Sequence, residues 1–325
     1  MKTENLHPKI LVTAIGSMSA ENVLCRLKDN FHATLFGCDI YPQEWLANAS
    51  LTDLFFQVPK ADSPSYLSIL CELIRQYSID FIIPLTDPEV DVLSANRTLL
   101  ESSGSRLCLS TSETISLCRD KYQVFKLFEN DSCIKPIPSR LVNELAGSDF
   151  PVLAKPKNGR SSEHQFHISC PELIPLLFSM PDDYIFQPFL QGDIFTVDYV
   201  RDRYGNDQAI VRRELLRTAN GAGIVVEIIP DSILLSQASY IGAKTNILGC
   251  VNFEFLFDGE TYFLMDINPR FSAGVSFSFQ AGYDMVSNHL ACFMEKSLSS
   301  VKRNIYPQIF IKQYQDIISQ QEVKE

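Results

Sequence analysis

The 325-residue chain has no apolar run near the ~20 residues that cross a bilayer. Its opening, MKTENLHPK then ILVTAIG, has too short an apolar stretch for a signal peptide and no small-residue cleavage site. Excess basic charge is missing too: 28 Lys+Arg stand against 39 Asp+Glu, a net charge of -11. Nucleic acids and anionic membranes attract basic faces, so neither is expected as a partner. There is no Cys-x-x-Cys pair. Nine cysteines are scattered singly among apolar residues, as in a reduced core. The five histidines form no pair with a carboxylate at metal spacing, which removes the usual zinc sites. At 46% hydrophobic and 21% charged residues, general disorder is excluded. These absences point to a cytoplasmic, globular protein that works on small molecules.

What is present begins with alternation. Residues 10–15 (ILVTAI) and 33–38 (ATLFGC) read as buried strands, ending at Gly16 and Asp39. Between them Val23, Leu24, Leu27 and Phe31 lie on one side of a helix. Ser63-Pro64 opens a helix carrying Leu67, Leu70, Cys71, Ile74 and Tyr77. Strand 79–85, a helix over 89–102 and a short strand at 107–109 follow. Strands alternating with helices predict a doubly wound parallel sheet. The rhythm then changes. A helix over 120–129 precedes strand 151–156, a polar loop at 157–165 and a helix over 171–179. Strands 184–189, 194–201, 208–216 and 223–229 follow, then a helix over 232–247, strands 250–257 and 261–267, and a helix over 284–295. Short turns between these later strands predict antiparallel sheet. The tail after Lys302 is polar and expected to fray.

The turn after the first strand, Ala14 to Ser19, has one glycine, whereas a dinucleotide-binding turn needs three. Gly242-Ala243-Lys244-Thr245 lacks the Gly-Lys adjacency and preceding strand of a P-loop. The informative stretch is Val251–Phe257, a turn, then Tyr262–Phe271. Side chains alternate along a strand, so Asp266 and Asn268 share a face. With Glu254 opposite, two carboxylates and an amide oxygen converge: hard oxygen donors that suit Mg²⁺ carrying phosphates. Parity sets a condition. A two-residue Asp258-Gly259 loop would put Asp266 on the far side from Glu254. A shared site therefore requires a longer loop or a bulge.

The pattern N-F-E-F … D-I-N-P-R resembles the metal hairpin of the ATP-grasp superfamily, in its carbamoyl-phosphate-synthetase-like carboxylate–amine ligase branch. Other parts fall in order. Asp120-Lys121 resembles the opening of the first ATP-grasp subdomain. Phe150 to Pro156 resembles the phosphate-lysine strand, and 157–162 the small-residue loop over the phosphates. Tyr184 to Asp198 resembles the adenine hinge. Gly16, Asp39, Asp53, Pro59 and Thr86-Asp87-Pro88-Glu89 suit a pre-ATP-grasp domain. The resemblance implies a Rossmann-like pre-ATP-grasp domain at 1–118, a small lid subdomain at 119–186, a large subdomain with the hairpin at 187–300, and a tail at 301–325.

It also implies roles. Lys121 and Lys155, with the loop residues Gly159, Ser161 and Ser162, would hold phosphates. A lysine supplies a point charge there, and small residues let backbone amides approach. Adenine would meet the Pro188 carbonyl and Leu190 amide, flanked by Gln187 and Phe189. Leu256 reads either as the adenine floor or as a core leucine. Glu254, Asp266 and Asn268 would hold one or two Mg²⁺, with Mn²⁺ as the alternative ion. Arg270 would stabilise an acyl phosphate. Arg213 and Arg217 read either as a carboxylate clamp or as solvated strand-end residues. Asp87 and Glu89 read either as a grip on a substrate amino group or as a helix start. Three departures stand out. Gln187 replaces a frequent glutamate, Ser161 replaces a usual glycine, and Ile194 takes the ribose-binding place with Asp193 one position early. The implied reaction joins a small-molecule carboxylate to an amine at the expense of ATP. A non-catalytic ATP-binding protein and carboxyphosphate chemistry are the alternatives, and homodimerisation is left open.

Overall fold

The computed structural model describes residues 7–160, 163–177, 181–301 and 307–319. The first layer alternates strands with helices: β1 (Lys9–Thr13), α1 (Ala20–Phe31), β2 (Thr34–Asp39), β3 (Leu54–Gln57), α2 (Tyr66–Tyr77), β4 (Phe81–Ile83), α3 (Asp87–Ala95), α4 (Arg97–Ser102) and β5 (Arg106–Leu107). The strands form a parallel sheet in the order β3-β2-β1-β4-β5. Alternation along β1 buries both faces. Leu11 packs with Leu70, Ile74 and Val90, while Ile10 and Val12 pack with Leu24 and Leu27. That second cluster continues into Phe271, Val275, Met285 and Leu290, so one core spans the N-terminal sheet and the C-terminal part.

α5 (Ser112–Arg119) and α6 (Lys121–Phe128) lead out of this sheet, with β6 (Lys135–Pro136) behind them. β7 (Val152–Pro156), β8 (Phe166–Ile168), the single turn α7 (Ile174–Leu177) and β9 (Tyr184–Pro188) build a small antiparallel sheet in the order β8-β7-β9. β10 (Asp193–Arg201), β11 (Asp207–Arg217), β12 (Gly223–Ile229), α8 (Ser232–Lys244), β13 (Gly249–Phe257), β14 (Tyr262–Asn268), α9 (Val275–Gln280), α10 (Met285–Phe293) and β15 (Gln308–Ile311) complete the chain. Their sheet runs β15-β12-β11-β10-β13-β14-β6, antiparallel except where β14 meets β6. Parallel α/β architecture followed by antiparallel sheets is the fold class read from the sequence.

Several local expectations change. The helix expected over 89–102 breaks at Asn96, whose side-chain amide donates to Val92 O at 2.9 Å and competes with the helical ladder. The helix expected over 171–179 is a 3₁₀ turn at Pro171–Leu173 followed by α7, and 178–180 lie outside the described residues. The tail expected to fray supplies β15, paired with β12 through Val226 and Phe310. Most cysteines are buried, but Cys133 is exposed. Among the described residues no helix is long and apolar enough to cross a membrane.

Candidate active site

The hairpin meets the parity condition through a bulge: its loop is longer than Asp258-Gly259 alone, but with an even number of residues it leaves the parity unchanged. Phe257 pairs with Tyr262, leaving a four-residue loop, 258–261. Asp258 Oδ1 accepts from the amides of Glu260 (2.9 Å) and Thr261 (2.8 Å), so the aspartate organises this longer turn itself. Phe255 pairs with Leu264 but Glu254 pairs with Asp266, so Met265 is an extra residue in β14. That bulge carries Asp266 and Asn268 onto the face of Glu254 and Asn252. Asn268 Nδ2 donates to Asn252 Oδ1 (3.1 Å) and Glu254 Oε1 (3.4 Å), which commits the amide nitrogen and leaves the oxygen.

Cations surround these oxygens. Asp120 caps α6, accepting from Tyr122 N (2.9 Å) and Gln123 N (3.1 Å), and so fixes Lys121 as the first helical residue. Lys121 Nζ lies 2.8 Å from Asp266 Oδ1 and donates to Gly159 O at 3.1 Å. The first contact is an ion pair without hydrogen-bond geometry, and Oδ1 stays buried with no hydrogen bond. Burial would raise the Asp266 carboxyl, but Lys121 and Lys155 outweigh it and hold it below the usual aspartate range. Lys155 is 4% exposed and has no carboxylate partner within 4.0 Å among the described residues. Burial pushes its ammonium down, against the attraction of Asp266 and Glu254. A buried lysine held without a partner is a charge awaiting an anion.

These groups line one cavity of about 780 Å³ between the N-terminal sheet, the small sheet and the hairpin. Leu153 and Lys155 share a face of β7, and Gln187, paired with Leu153, joins them from β9. Gln187 Nε2 donates to Ser139 Oγ at 2.8 Å. Pro188, Phe189, Leu190 and the buried Leu256 line the same end. The chain passes there because Gly192 has no Cβ; one would sit 2.1 Å from Phe257 O. Gly159 also lines the cavity, whereas Ser161 and Ser162 lie outside the described residues.

Two expected residues face elsewhere. β10 pairs with β13 in unbroken register from Asp193 to Arg201, so the bulge that would turn Asp193 inward is absent. Asp193 is exposed and lies 3.6 Å from Arg213. Arg213 bonds Glu227 at 2.7 Å on that outer face. The residue turned into the cavity is its neighbour Arg212, 2% exposed, which bonds Asp198 Oδ2 (2.7 Å) and Glu214 Oε1 (3.0 Å). Arg217 has the same parity as Arg213 yet does reach the cavity. Leu215 is unpaired between Glu214–Val226 and Leu216–Val225, and this bulge flips the strand. Arg217 Nη2 then meets Glu254 Oε2 at 3.0 Å, and its Nε donates to Gly221 O at 2.7 Å, in a turn closed by Gly221 at φ 86.

From the N-terminal sheet, α3 starts beyond the carboxyl end of β4 and points Asp87 at Arg270, just past the end of β14. Asp87 takes both arms of Arg270: Nε–Oδ1 at 2.9 Å and Nη2–Oδ2 at 2.7 Å. Burial would raise its carboxyl, but Arg270 and then Arg119 bring it to about 2. Glu89 turns inward instead. Tyr66 (3.1 Å) and Thr86 (2.7 Å) donate to it, and burial raises its pKa. Neither acid is therefore free to grip a substrate amine. Neither Arg119 nor Arg212 was legible from sequence, because Asp87, Asp91 and Asp198, which hold them, come from other elements.

The donor set suits a divalent cation shared with phosphates. Glu254, Asp266 and Asn268 offer only oxygen ligands, and one of them, Asp266 Oδ1, is buried without a hydrogen bond. Among the described residues no cluster of three His, Cys, Asp or Glu forms, and the third oxygen donor on this face is the amide of Asn268.

Known proteins share this fold. Residues 180–316 match the family model described as ATP-grasp in the biosynthetic pathway with Ter operon, and residues 10–107 match the PylC-like N-terminal domain. Biotin carboxylase from Campylobacter jejuni superposes with a TM-score of 0.75 at 14% identity, over 92% of this chain and 74% of that one. N5-carboxyaminoimidazole synthetase from Staphylococcus aureus, complexed with ADP, gives 0.72 at 15% identity, over 94% and 82%. L-amino acid ligase from Bacillus licheniformis gives 0.68 at 12%, over 88% and 74%. No curated protein sequence matches the chain.

Proposed function

This chain belongs to the ATP-grasp superfamily, and we propose that it is an ATP-dependent ligase of the carboxylate–amine class. ATP phosphorylates a carboxylate, and the acyl phosphate is attacked by an amine. An amide forms, and ADP and phosphate leave. The observation that carries this reading is the hairpin: Glu254, Asp266 and Asn268 share a face that Lys121, Lys155 and Arg217 ring with positive charge. The residues divide the work. Pro188, Phe189 and Leu190 would receive the adenine, with Leu256 beneath it. Lys121, Lys155 and the Gly159 loop would hold the phosphates. Mg²⁺, one ion or two, would be held by Glu254, Asp266 and Asn268, and when bound would neutralise phosphate charge. Arg270 and Arg217 would meet the developing oxyanion, in a cavity whose walls limit water.

A second reading has one observation in its favour. Asp193 faces outward and the aliphatic Ile194 has no polar group for a ribose, so a nucleotide would be gripped by fewer polar groups than in a fully furnished site. That suits a protein that binds ATP without turning it over. Phosphate release with Mg²⁺, ATP, pools of carboxylic and amino acids, and hydroxylamine as a general amine separates the two. The ligase reading expects acid-dependent phosphate and hydroxamate. ATP binding with no acid-dependent release would leave the non-catalytic reading.

A further inference from the structure

We propose that Asp87, braced by Arg119, is a positioning residue for Arg270, so that the N-terminal domain sets the aim of the ligase centre's arginine. The proposal rests on the ligase reading above for what Arg270 does, and on separate geometry for how it is held. A guanidinium has five N–H donors in a fixed plane. Asp87 takes two of them, the Nε–H and one on Nη2, and Phe271 O takes one on Nη1 at 3.0 Å. Two remain, one on each terminal nitrogen, and Arg270 lines the cavity. That is a fork suited to a planar or tetrahedral oxyanion.

The brace is asymmetric. Asp87 is 3% exposed, so its carboxylate needs a full set of partners. Arg119, itself 6% exposed, supplies one from 3.4 Å. Arg119 is fixed in turn by a two-armed contact to Asp91 (2.8 and 3.1 Å), one helical turn beyond Asp87 on α3. Its Nη2 also donates to Asn158 O (3.2 Å), at the start of the loop that holds Gly159. The contacts therefore run unbroken from that loop through Arg119 and Asp87 to Arg270 and the metal hairpin. Arg270 has no other carboxylate partner among the described residues. Without Asp87 its long side chain would be free to sample other rotamers.

The test compares Asp87→Asn, Asp87→Glu, Arg119→Lys and Arg270→Ala, with the Asp87→Asn/Arg270→Ala double variant. The assay is acid-dependent phosphate release at saturating Mg²⁺-ATP, with ATP affinity measured by calorimetry. Misplacing a reacting group by about an ångström costs about 100-fold. We expect Asp87→Asn to lower kcat by about 10- to 100-fold with the ATP Kd within about twofold. Asp87→Glu should recover most of that loss, and the double variant should be no slower than Arg270→Ala alone. Additive losses in the double variant, a kcat within twofold of wild type for Asp87→Asn, or a loss confined to ATP affinity would overturn the proposal. Should Asp87→Asn fail to fold, Arg119→Lys carries the same expectation at smaller size. If the wild type binds ATP but releases no phosphate with any acid, the ligase reading fails alone. The brace is then judged by the Arg270 Nε–Hε resonance in a ¹⁵N spectrum. Slow exchange with water that is lost in Asp87→Asn supports it, and an unchanged resonance overturns it.

Discussion

Lys155→Met should separate stability from nucleotide binding. The wild-type ammonium is 4% exposed and lacks a carboxylate within 4.0 Å among the described residues. Burial lowers its pKa despite Asp266 and Glu254, so the folded chain holds the charged form at a cost that the unfolded chain does not. Methionine fills a similar space without the charge, so the ligand-free variant should unfold no earlier than wild type. ATP should reverse the order. A hydrogen bond to a charged group contributes about 1.5–3 kcal/mol, or about 10- to 140-fold in affinity. At ATP a hundred times the wild-type Kd, with Mg²⁺, wild type gains about 2.7 kcal/mol of stability. A variant binding about 100-fold more weakly gains about 0.4 kcal/mol. Urea unfolding with and without Mg²⁺-ATP measures both. A variant that is markedly less stable without ligand, or that keeps the full ATP-induced gain, would refute the assignment of Lys155 as a phosphate-holding charge.

Arg212→Ala should destabilise by about 3–5 kcal/mol, because Asp198 and Glu214 would be left buried without their shared cation. Arg213→Ala, at the partly exposed pair with Glu227, should cost no more than about 1 kcal/mol and leave ATP affinity unchanged; urea titration and calorimetry check both. Asp193→Ala should likewise leave ATP affinity within about twofold, since a single exposed contact is worth little. His289 sets a pH dependence. Burial lowers its pKa to about 3, and its Nδ1 accepts from Cys250 N at 2.8 Å. Below its ordinary value of 6.5 the unfolded chain takes up a proton that the folded chain refuses. Stability from this group therefore falls as pH drops from about 6.5 toward 3. His289→Gln should flatten that decline in unfolding titrations between about pH 6.5 and 4; an unchanged slope would contradict it.

The fold was legible wherever the pattern was local. Alternation gave the strands flanking α1, and the spacing of Leu70, Cys71 and Ile74 gave α2. The shared face of the hairpin was legible because the expected metal face and strand parity conflicted at Asp258-Gly259; the bulge at Met265 removes the conflict, whereas the four-residue loop alone would not. What was not legible depends on partners distant in the chain. Whether Arg212 or Arg213 faces the cavity is decided by β11 pairing with β10, and Arg217 by the bulge at Leu215. No property of the RRELLR segment encodes either. Asp87 looked available to a ligand because Arg270, 183 residues away, cannot be placed beside it from sequence. β15 was hidden in a polar tail, from which Phe310 packs against the core.

Oxygen transfer tests the ligase assignment most directly. The protein is incubated with ATP, Mg²⁺, hydroxylamine and pools of amino and carboxylic acids carrying ¹⁸O in the carboxylate, and the released phosphate is analysed by mass. If the carboxylate attacks ATP and the acyl phosphate is then cleaved by the amine, each phosphate formed carries one labelled oxygen from the acid, and Asp266→Asn abolishes the signal. Phosphate whose new oxygen comes only from water, or release that does not depend on the acid, would contradict the account.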